Sequence, residues 1–212
     1  MNDIRPIRNA LVSVYHKDGL DDLLQMLHQN GTRLLSTGGT HAHIESIGLP
    51  CQRVEDLTTY PSILGGRVKT LHPKVFGGIL GRRELLEDQA EMTKYAIPPI
   101  DLVIVDLYPF EETVNNGASE ADIIEKIDIG GISLIRAAAK NFHDVVIIPS
   151  RDDYATLTDI LRLRGAKTSL EERRALALRA FSVSSHYDTA IRTWFESKYQ
   201  SHIFKKHEIQ KL

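Results

Sequence analysis

ALVSVYHKDGLDDLLQMLHQNGTRLLS, residues 10–36, predicts a strand, a helix and a second strand in direct succession. Ala10 to Tyr15 is an apolar run that favours a buried strand. Gly19 to Gln29 carries leucines at helical spacing, and Gly31 ends that helix. Thr32 to Ser36 predicts the next strand. A strand, a helix and a strand in this order predict a right-handed crossover between two parallel strands.

The alternation of strands and helices continues on the C-terminal side. The turn Thr37 to Thr40 leads into a short helix that Gly48 closes. Further strands are predicted at Pro50 to Val54, Asp101 to Leu107 and Asp144 to Pro149, and helices at Glu84 to Tyr95, Glu120 to Ile127 and Ser133 to Lys140. The fold class is therefore α/β, an open, mostly parallel five-stranded sheet flanked by helices, with the last strand at Asp144 to Pro149. Ligands of such sheets lie beyond the carboxyl ends of the strands.

Residues from Arg151 onward predict helices only. A helix at Asp153 to Leu163 precedes a break at Gly165 and a long helix from Ser169 to Tyr199, where Ser169 and Glu172 form a capping box. One face of the long helix collects Leu176, Ala177, Ala180, Phe181 and Ser184. We expect this face to cover the sheet or to form a dimer contact. Residues 1–199 are predicted to form one domain, and residues 200–212 a tail.

Composition excludes several classes of protein. The 212 residues are 42% hydrophobic and 25% charged, with a net charge of −2, which predicts neither a nucleic-acid surface nor an unfolded chain. The single cysteine, Cys51, excludes an intramolecular disulfide and favours a reducing cytoplasm. The histidines lack the spacing of metal ligands, so no metal is predicted. Apolar runs fall short of the ~20 residues that a membrane span requires.

The segment Leu64 to Leu80, LGGRVKTLHPKVFGGIL, shows neither a helical nor a strand period. Its glycine pairs allow close approach of the backbone to a ligand, and cations such as Arg67 and Lys69 can neutralise a phosphate or carboxylate. The alternative is a solvated basic loop. The glycine pairs at 38–39, 65–66, 77–78 and 130–131 all fall in predicted connections between elements.

A phosphate site is predicted at the turn Thr37-Gly38-Gly39-Thr40. Free backbone N–H groups and a helix dipole at a strand-to-helix turn can hold an anion, although a tight turn with Thr40 as N-cap explains the same residues. Lys17 follows the first strand and therefore lies at the same sheet edge. The chain contains no GxxxxGK[ST], GxGxxG or GxSxG motif.

Six motifs together resemble a known family. SVYHKDGL, STGGT, GGRVKTLHP, LYPF, IDIGG and RAAAKN, within residues 9–199, are similar to the inosine monophosphate cyclohydrolase domain of the bifunctional purine-synthesis enzyme. The resemblance implies a methylglyoxal-synthase-like fold, ring closure of formylated aminoimidazole carboxamide ribotide to inosine monophosphate, a homodimer, and no metal or cofactor. In the full enzyme a formyltransferase domain follows, so formyl transfer is not expected from this chain.

The resemblance also implies roles for individual residues. Lys69, Tyr108, Asp128 and Lys140 are the expected catalytic residues: Lys140 transfers protons, Lys69 and Tyr108 form an acid or oxyanion-stabilising pair, and Asp128 orients or deprotonates the carboxamide. The expected substrate-binding residues are Tyr15, His16, Lys17, Thr37, Gly38, Gly39, Thr40, Arg67, Val68, Thr70, Val105, Asp106, Ile129, Gly130 and Gly131. Tyr15, His16 and Asp106 depart from the common family motifs, and an acid at position 106 is expected either to repel phosphate or to pair with a lysine.

Two other functions share this fold. A methylglyoxal-synthase-like lyase would act on a three-carbon phosphate, but gives no role to IDIGG or to the helix that carries Lys140. A regulatory domain would bind a nucleotide without turnover, and needs the phosphate turn but not the four catalytic residues together.

Overall fold

A computed structural model describes residues 3–203, and the side chains of residues 3–199. The strands are β1 (Ile4–Pro6), β2 (Asn9–Val14), β3 (Arg33–Ser36), β4 (Cys51–Arg53), β5 (Leu102–Asp106), β6 (Val146–Ile148) and β7 (Lys167–Ser169). The helices are α1 (Leu20–Gln29), α2 (Gly38–Ser46), α3 (Val54–Thr58), α4 (Pro73–Leu80), α5 (Leu86–Lys94), α6 (Phe110–Asn115), α7 (Glu120–Glu125), α8 (Gly130–Lys140), α9 (Tyr154–Arg164) and α10 (Leu170–Ile203).

The predicted five-stranded parallel sheet is confirmed. Its strand order is β4-β3-β2-β5-β6, and every neighbouring pair is parallel. Leu11 of β2 pairs with Leu35 of β3 and with Val103 of β5, so β2 lies at the centre. Leu11 and Val103 are fully buried, as a sheet covered by helices on both faces requires.

The segment Leu64 to Leu80 is more regular than predicted. It contains a 3₁₀ turn at Leu64–Gly66 and all of α4, so the prediction that it lacks regular structure is wrong. The side chain of His72 caps α4 by accepting a hydrogen bond from Lys74 N at 3.1 Å. Gly78 lies inside this helix, and a Cβ atom there would lie 2.6 Å from Pro98 O. The absence of a side chain at Gly78 lets α4 pack closely against the segment that leads to β5. Helical periodicity in the sequence does not reveal this contact.

Other predicted connections also belong to helices. Gly130 and Gly131 begin α8 and Gly38 begins α2, so these glycine pairs lie at helix starts. Phe110 begins α6, a helix that the sequence analysis does not predict. The strand at Asp144 to Pro149 is not the last, because β7 pairs antiparallel with β1 in a separate two-stranded sheet. These two strands are three residues each and far apart in sequence, too short for a period to mark them.

The predicted capping box of the long helix is confirmed. Glu172 N donates to Ser169 Oγ at 3.2 Å, and Ser169 N donates to the Glu172 carboxylate at 2.8 Å. Four of the five residues predicted for its packing face are buried: Leu176, Ala177, Ala180 and Ser184. Phe181 is instead 42% exposed, so its prediction is wrong. The helix is described to Ile203, beyond the predicted end at Tyr199, and residues 204–212 of the predicted tail lie outside the described residues.

Two features are absent from residues 3–203. No helix among residues 3–203 is long and apolar enough to cross a membrane. Within the same residues, His, Cys, Asp and Glu side chains form no group of three or more that could hold a metal ion.

The capping box gives a prediction for stability. Ser169→Ala removes the hydroxyl that accepts from Glu172 N, so we expect the free energy of unfolding to fall by about 1 kcal/mol. Ser182→Ala is the control, because the Ser182 hydroxyl donates to Leu178 O in the middle of the same helix, where alanine is favoured. Urea denaturation of both variants measures the difference. Equal losses would contradict the capping role.

Candidate functional site

A pocket of about 810 Å³ lies at the carboxyl ends of β2, β3 and β5. It is lined by Ser13, Val14, Tyr15, Lys17, Thr37, Gly39, Thr40, Leu64, Gly65, Gly66, Arg67, Lys69, Thr70, Asp106, Tyr108, Ile124, Glu125, Lys126, Ile127, Asp128, Ile129, Gly130 and Gly131. This lining includes residues from the starts of both α2 and α8. The pocket therefore occupies the position that the parallel sheet predicts for a ligand.

The end of β2 is tied to the start of α2. Thr40 Oγ1 donates to Val14 O at 2.9 Å, and Lys17 Nζ donates to Val14 O and Tyr15 O at 2.7 Å each. Burial lowers the pKa of Lys17, the nearby Lys69 lowers it further, and the Asp106 carboxylate opposes both effects. These bonds keep the ammonium of Lys17 at the pocket wall.

The first turn of α2 lies at the pocket and has no side-chain cap. Thr37 has extended backbone angles at the N-cap, and its hydroxyl donates to the Glu55 carboxylate at 2.6 Å instead of capping the helix. The backbone N–H groups of the first turn are therefore not capped by that side chain. They lie with the positive end of the helix dipole at the pocket.

The segment Leu64 to Leu80 contacts the starts of both α2 and α8. A Cβ atom added at Gly38 would lie 3.1 Å from Lys69 Nζ, so the Lys69 ammonium lies against the turn before α2. A Cβ atom added at Gly130 would lie 2.9 Å from Thr70 Oγ1, so the next residue touches the start of α8. Arg67 is exposed and forms an ion pair with Glu125 at the end of α7. The segment thus joins two helix starts across one pocket.

The carboxylate of Asp128, in the loop before α8, is partly buried at the pocket. Gly131 N donates to Asp128 Oδ1 at 2.6 Å, and a Cβ atom at Gly131 would lie only 2.5 Å from Oδ2. Burial raises the pKa of Asp128, while hydrogen bonds from the backbone N–H groups of Gly131 and Tyr108 and the charge of Lys69 oppose the rise. Burial also raises the pKa of Tyr108, as does the charge of Asp128.

Lys126 is a pocket cation that sequence reasoning missed. Its Nζ lies 5.0 Å from the ring centre of Tyr15 and 5.7 Å from that of Tyr108, and the two rings meet edge to face at 5.5 Å. The charge of Lys126 lowers the pKa of Tyr108, against the larger effect of burial. The signal in the sequence is a lysine two residues before Asp128, at the end of a predicted helix.

The acid at position 106 pairs with a histidine. His16 N and His16 Nδ1 both lie 2.8 Å from Asp106 Oδ2. The expectation that Asp106 repels phosphate or pairs with a lysine therefore misses its actual partner. His16 and Asp106 both depart from the common motifs of the resembling family, and their side chains contact each other in this structure.

Comparison with known proteins finds two matching families. The MGS-like domain family matches residues 19–133, more than half of the chain, and the AICARFT/IMPCHase bienzyme family matches residues 138–212. This chain belongs to the MGS-like domain family. The resemblance predicted from the sequence motifs is confirmed at this level.

Individual relatives agree with the family match. The bifunctional purine biosynthesis protein PurH of Bacteroides thetaiotaomicron is 65% identical over 197 residues, which are 93% of this chain and 39% of that protein. PurH of Aquifex aeolicus is 44% identical over 199 residues, 94% of this chain and 39% of that protein. The chain thus spans about two fifths of these relatives. A solved structure titled "Crystal structure of ForH" has a TM-score of 0.75 at 37% identity, and the match covers 89% of this chain and 98% of that one.

Most of the residues expected in the site of this MGS-like domain line the pocket. These are Tyr15, Lys17, Thr37, Gly39, Thr40, Arg67, Lys69, Thr70, Asp106, Tyr108, Asp128, Ile129, Gly130 and Gly131. Four expected binding residues are not part of the lining: His16, Gly38, Val68 and Val105. Gly38 lies against the Lys69 ammonium, His16 contacts the Asp106 carboxylate, and Val105 is fully buried in the sheet. The lining also includes Ser13, Val14, Leu64, Gly65, Gly66, Ile124, Glu125, Lys126 and Ile127, which the motif residues did not predict.

Lys140 lies outside the pocket of the MGS-like domain. Gly130 and Lys140 are the two ends of α8, which places their backbones about 15 Å apart along the helix axis. Lys140 is exposed and lines a second groove with Phe142, Arg174 and Leu178. The structure of one protomer therefore does not bring Lys140 to Lys69, Tyr108 and Asp128.

The turn before α2 gives a prediction for the MGS-like domain. Gly38 has φ +55°, and Gly38→Ala places a Cβ atom against Lys69, so we expect a loss of about 1–2 kcal/mol in the free energy of unfolding. Gly39→Ala is the matched control, because Gly39 lacks a positive φ and nothing lies within 4 Å of an added Cβ atom. Chemical denaturation measures both variants. A destabilised Gly39→Ala beside an unaffected Gly38→Ala would contradict this geometry.

Proposed function

We propose that this chain is an inosine monophosphate cyclohydrolase, which closes the purine ring of formylated aminoimidazole carboxamide ribotide with loss of water. The observation that carries the proposal is the meeting of Lys69, Tyr108 and Asp128 in one pocket with two helix starts. Two family matches and PurH relatives support it. The substrate class is a ribonucleotide monophosphate.

The proposed reaction needs a shaped pocket more than a reactive cofactor. The carboxamide nitrogen attacks the formyl carbon of the same molecule and loses one proton. The formamide nitrogen loses a second proton as the new C=N bond forms, and the former formyl oxygen, which takes up both protons, leaves as water. Alignment of two groups within one molecule can contribute about 7–11 kcal/mol to the lowering of such a barrier. A pocket of about 810 Å³ has room for one nucleotide.

The phosphate of the ribotide is proposed to bind at the first turn of α2. The backbone N–H groups of Gly38, Gly39 and Thr40 and the helix dipole attract an anion there. Lys17 and Lys69 add two positive charges at the same turn. Asp106 also lines this pocket, and its contact with His16 gives that carboxylate a local partner beside the proposed phosphate site.

The base is proposed to bind at the start of α8, beside Asp128. A buried carboxylate whose pKa is raised accepts a proton more readily than an exposed one, which suits removal of the carboxamide proton. Tyr108 and Lys69 are proposed to donate hydrogen bonds to the oxygen that becomes negatively charged during attack. Ile129, Gly130 and Gly131 line the pocket next to the base.

Other expectations from the resemblance remain part of this proposal. They are a homodimer and a cytoplasmic location. Lys140 keeps its proposed role in proton transfer only if a second protomer brings Lys140 of the partner subunit to the pocket.

The proposal predicts the effect of removing Lys69. We expect Lys69→Ala to lower kcat/KM for inosine monophosphate formation by about 100-fold or more, because the phosphate and the oxyanion both lose a positive charge. Lys94→Ala is the control, since Lys94 lies on α5, contacts the ring of Tyr95 and does not line the pocket. The assay follows inosine monophosphate directly, and Lys140→Ala in the same assay tests the role of Lys140.

Three measurements distinguish the cyclohydrolase from the two alternative functions. Folded wild-type protein that does not convert the formylated ribotide would refute the cyclohydrolase. Turnover of dihydroxyacetone phosphate would favour the lyase. Tight nucleotide binding in calorimetry without turnover of either compound would favour a regulatory domain.

The raised pKa of Asp128 predicts the acidic side of the pH profile. The carboxylate form accepts the proton, and this form is lost as the pH falls through the raised pKa. The ordinary pKa of aspartate is about 4. As the pH is lowered, we therefore expect kcat to begin to fall while the pH is still above that value. Asp128→Asn should remove this limb together with most of the activity. A kcat that stays constant down to pH 4 in the wild type would contradict the assignment.

A further inference from the structure

One residue behind the pocket contacts the loop that carries Asp128. The loop joins α7 to α8 and runs from Lys126 to Ile129. The hydroxyl of Tyr187, on α10, donates to Lys126 O at 2.7 Å and accepts from Asp128 N at 2.8 Å. A single oxygen atom therefore bridges the peptide groups on either side of Ile127.

The side chain of Tyr187 is itself held firmly. It is 7% exposed and packs with Phe110, Ile123 and Trp194, and its ring meets that of Phe110 at 6.2 Å. Phe110 begins α6, two residues after Tyr108. Burial raises the pKa of Tyr187 to about 12, so its hydroxyl remains protonated and able to donate at neutral pH.

Both bridged residues line the pocket. Lys126 reaches the rings of Tyr15 and Tyr108, and Asp128 presents its carboxylate beside Gly131. Tyr187 does not line the pocket, and its hydroxyl contacts this loop, so loss of the hydroxyl alone acts on bound substrate through the loop. We propose that Tyr187 is a positioning residue, whose hydroxyl fixes the Lys126 to Asp128 loop and thereby the carboxylate of Asp128. The catalytic part of this inference depends on the proposed function, and the structural part does not.

Tyr187→Phe removes the hydroxyl and keeps the ring in its aromatic cluster. We expect kcat for ring closure to fall about tenfold, while KM changes by less than about twofold, because the substrate-binding turn of α2 is untouched. Tyr199→Phe is the matched control. It removes a hydroxyl from the same helix that donates to the Glu120 carboxylate at 2.8 Å and does not contact the loop.

A double variant separates positioning from general structural support. If Tyr187 acts through Asp128, Tyr187→Phe has little further effect on the residual activity of Asp128→Asn. Equal losses of kcat in the Asp128→Asn and wild-type backgrounds would overturn the proposal, because the effect would not pass through Asp128. A kcat of Tyr187→Phe equal to that of Tyr199→Phe would also overturn it.

Hydrogen exchange tests the loop without reference to any reaction. We expect the amide proton of Asp128, measured by NMR, to exchange faster in Tyr187→Phe than in Tyr199→Phe or the wild type. Unchanged exchange in Tyr187→Phe would refute the tether. If the wild type shows no ring closure, the proposed function fails, and the exchange measurement still decides whether Tyr187 holds the loop.

Discussion

The parallel pairing of β2 with both β3 and β5 is the constraint on which the pocket depends. Three strands that run in the same direction deliver their carboxyl ends to one edge, where Lys17, the turn after Ser36, and Tyr108 follow. The central residues of these strands, such as Leu11 and Val103, are fully buried. A shift of one residue would turn these side chains to the opposite face of the sheet, so the core and the pocket are specified together.

The pocket places two partly buried carboxylates, those of Asp106 and Asp128, close to its cations. Lys17, Lys69 and two helix starts supply positive potential. Asp106 is held by His16, and Asp128 by the N–H group of Gly131. Because each acid has its own local partner, it can remain near the cations without being drawn into a direct ion pair with Lys17 or Lys69.

The long C-terminal helix α10 contacts segments next to this pocket without lining it. Arg173 of α10 is fully buried and donates to Thr168 O at 2.7 Å and to Phe142 O at 2.9 Å, which ties the helix to β7 and to the end of α8. Further along the same helix, the Tyr187 hydroxyl contacts the loop before α8. A helix without a residue in the pocket thus contributes to the pocket's shape.

Local periodicity was sufficient to predict the strands and helices of the five-stranded sheet and the capping box of Ser169. Periodicity and capping depend on neighbours within a few positions, so they are visible in the chain. Most residues of the pocket wall were implied instead by the resemblance of the motifs to a known family. The helix around Gly78, the pairing of His16 with Asp106 and the distance of Lys140 from the pocket were decided only by tertiary structure. Each depends on contacts or directions between residues far apart in sequence, and a linear pattern does not record those.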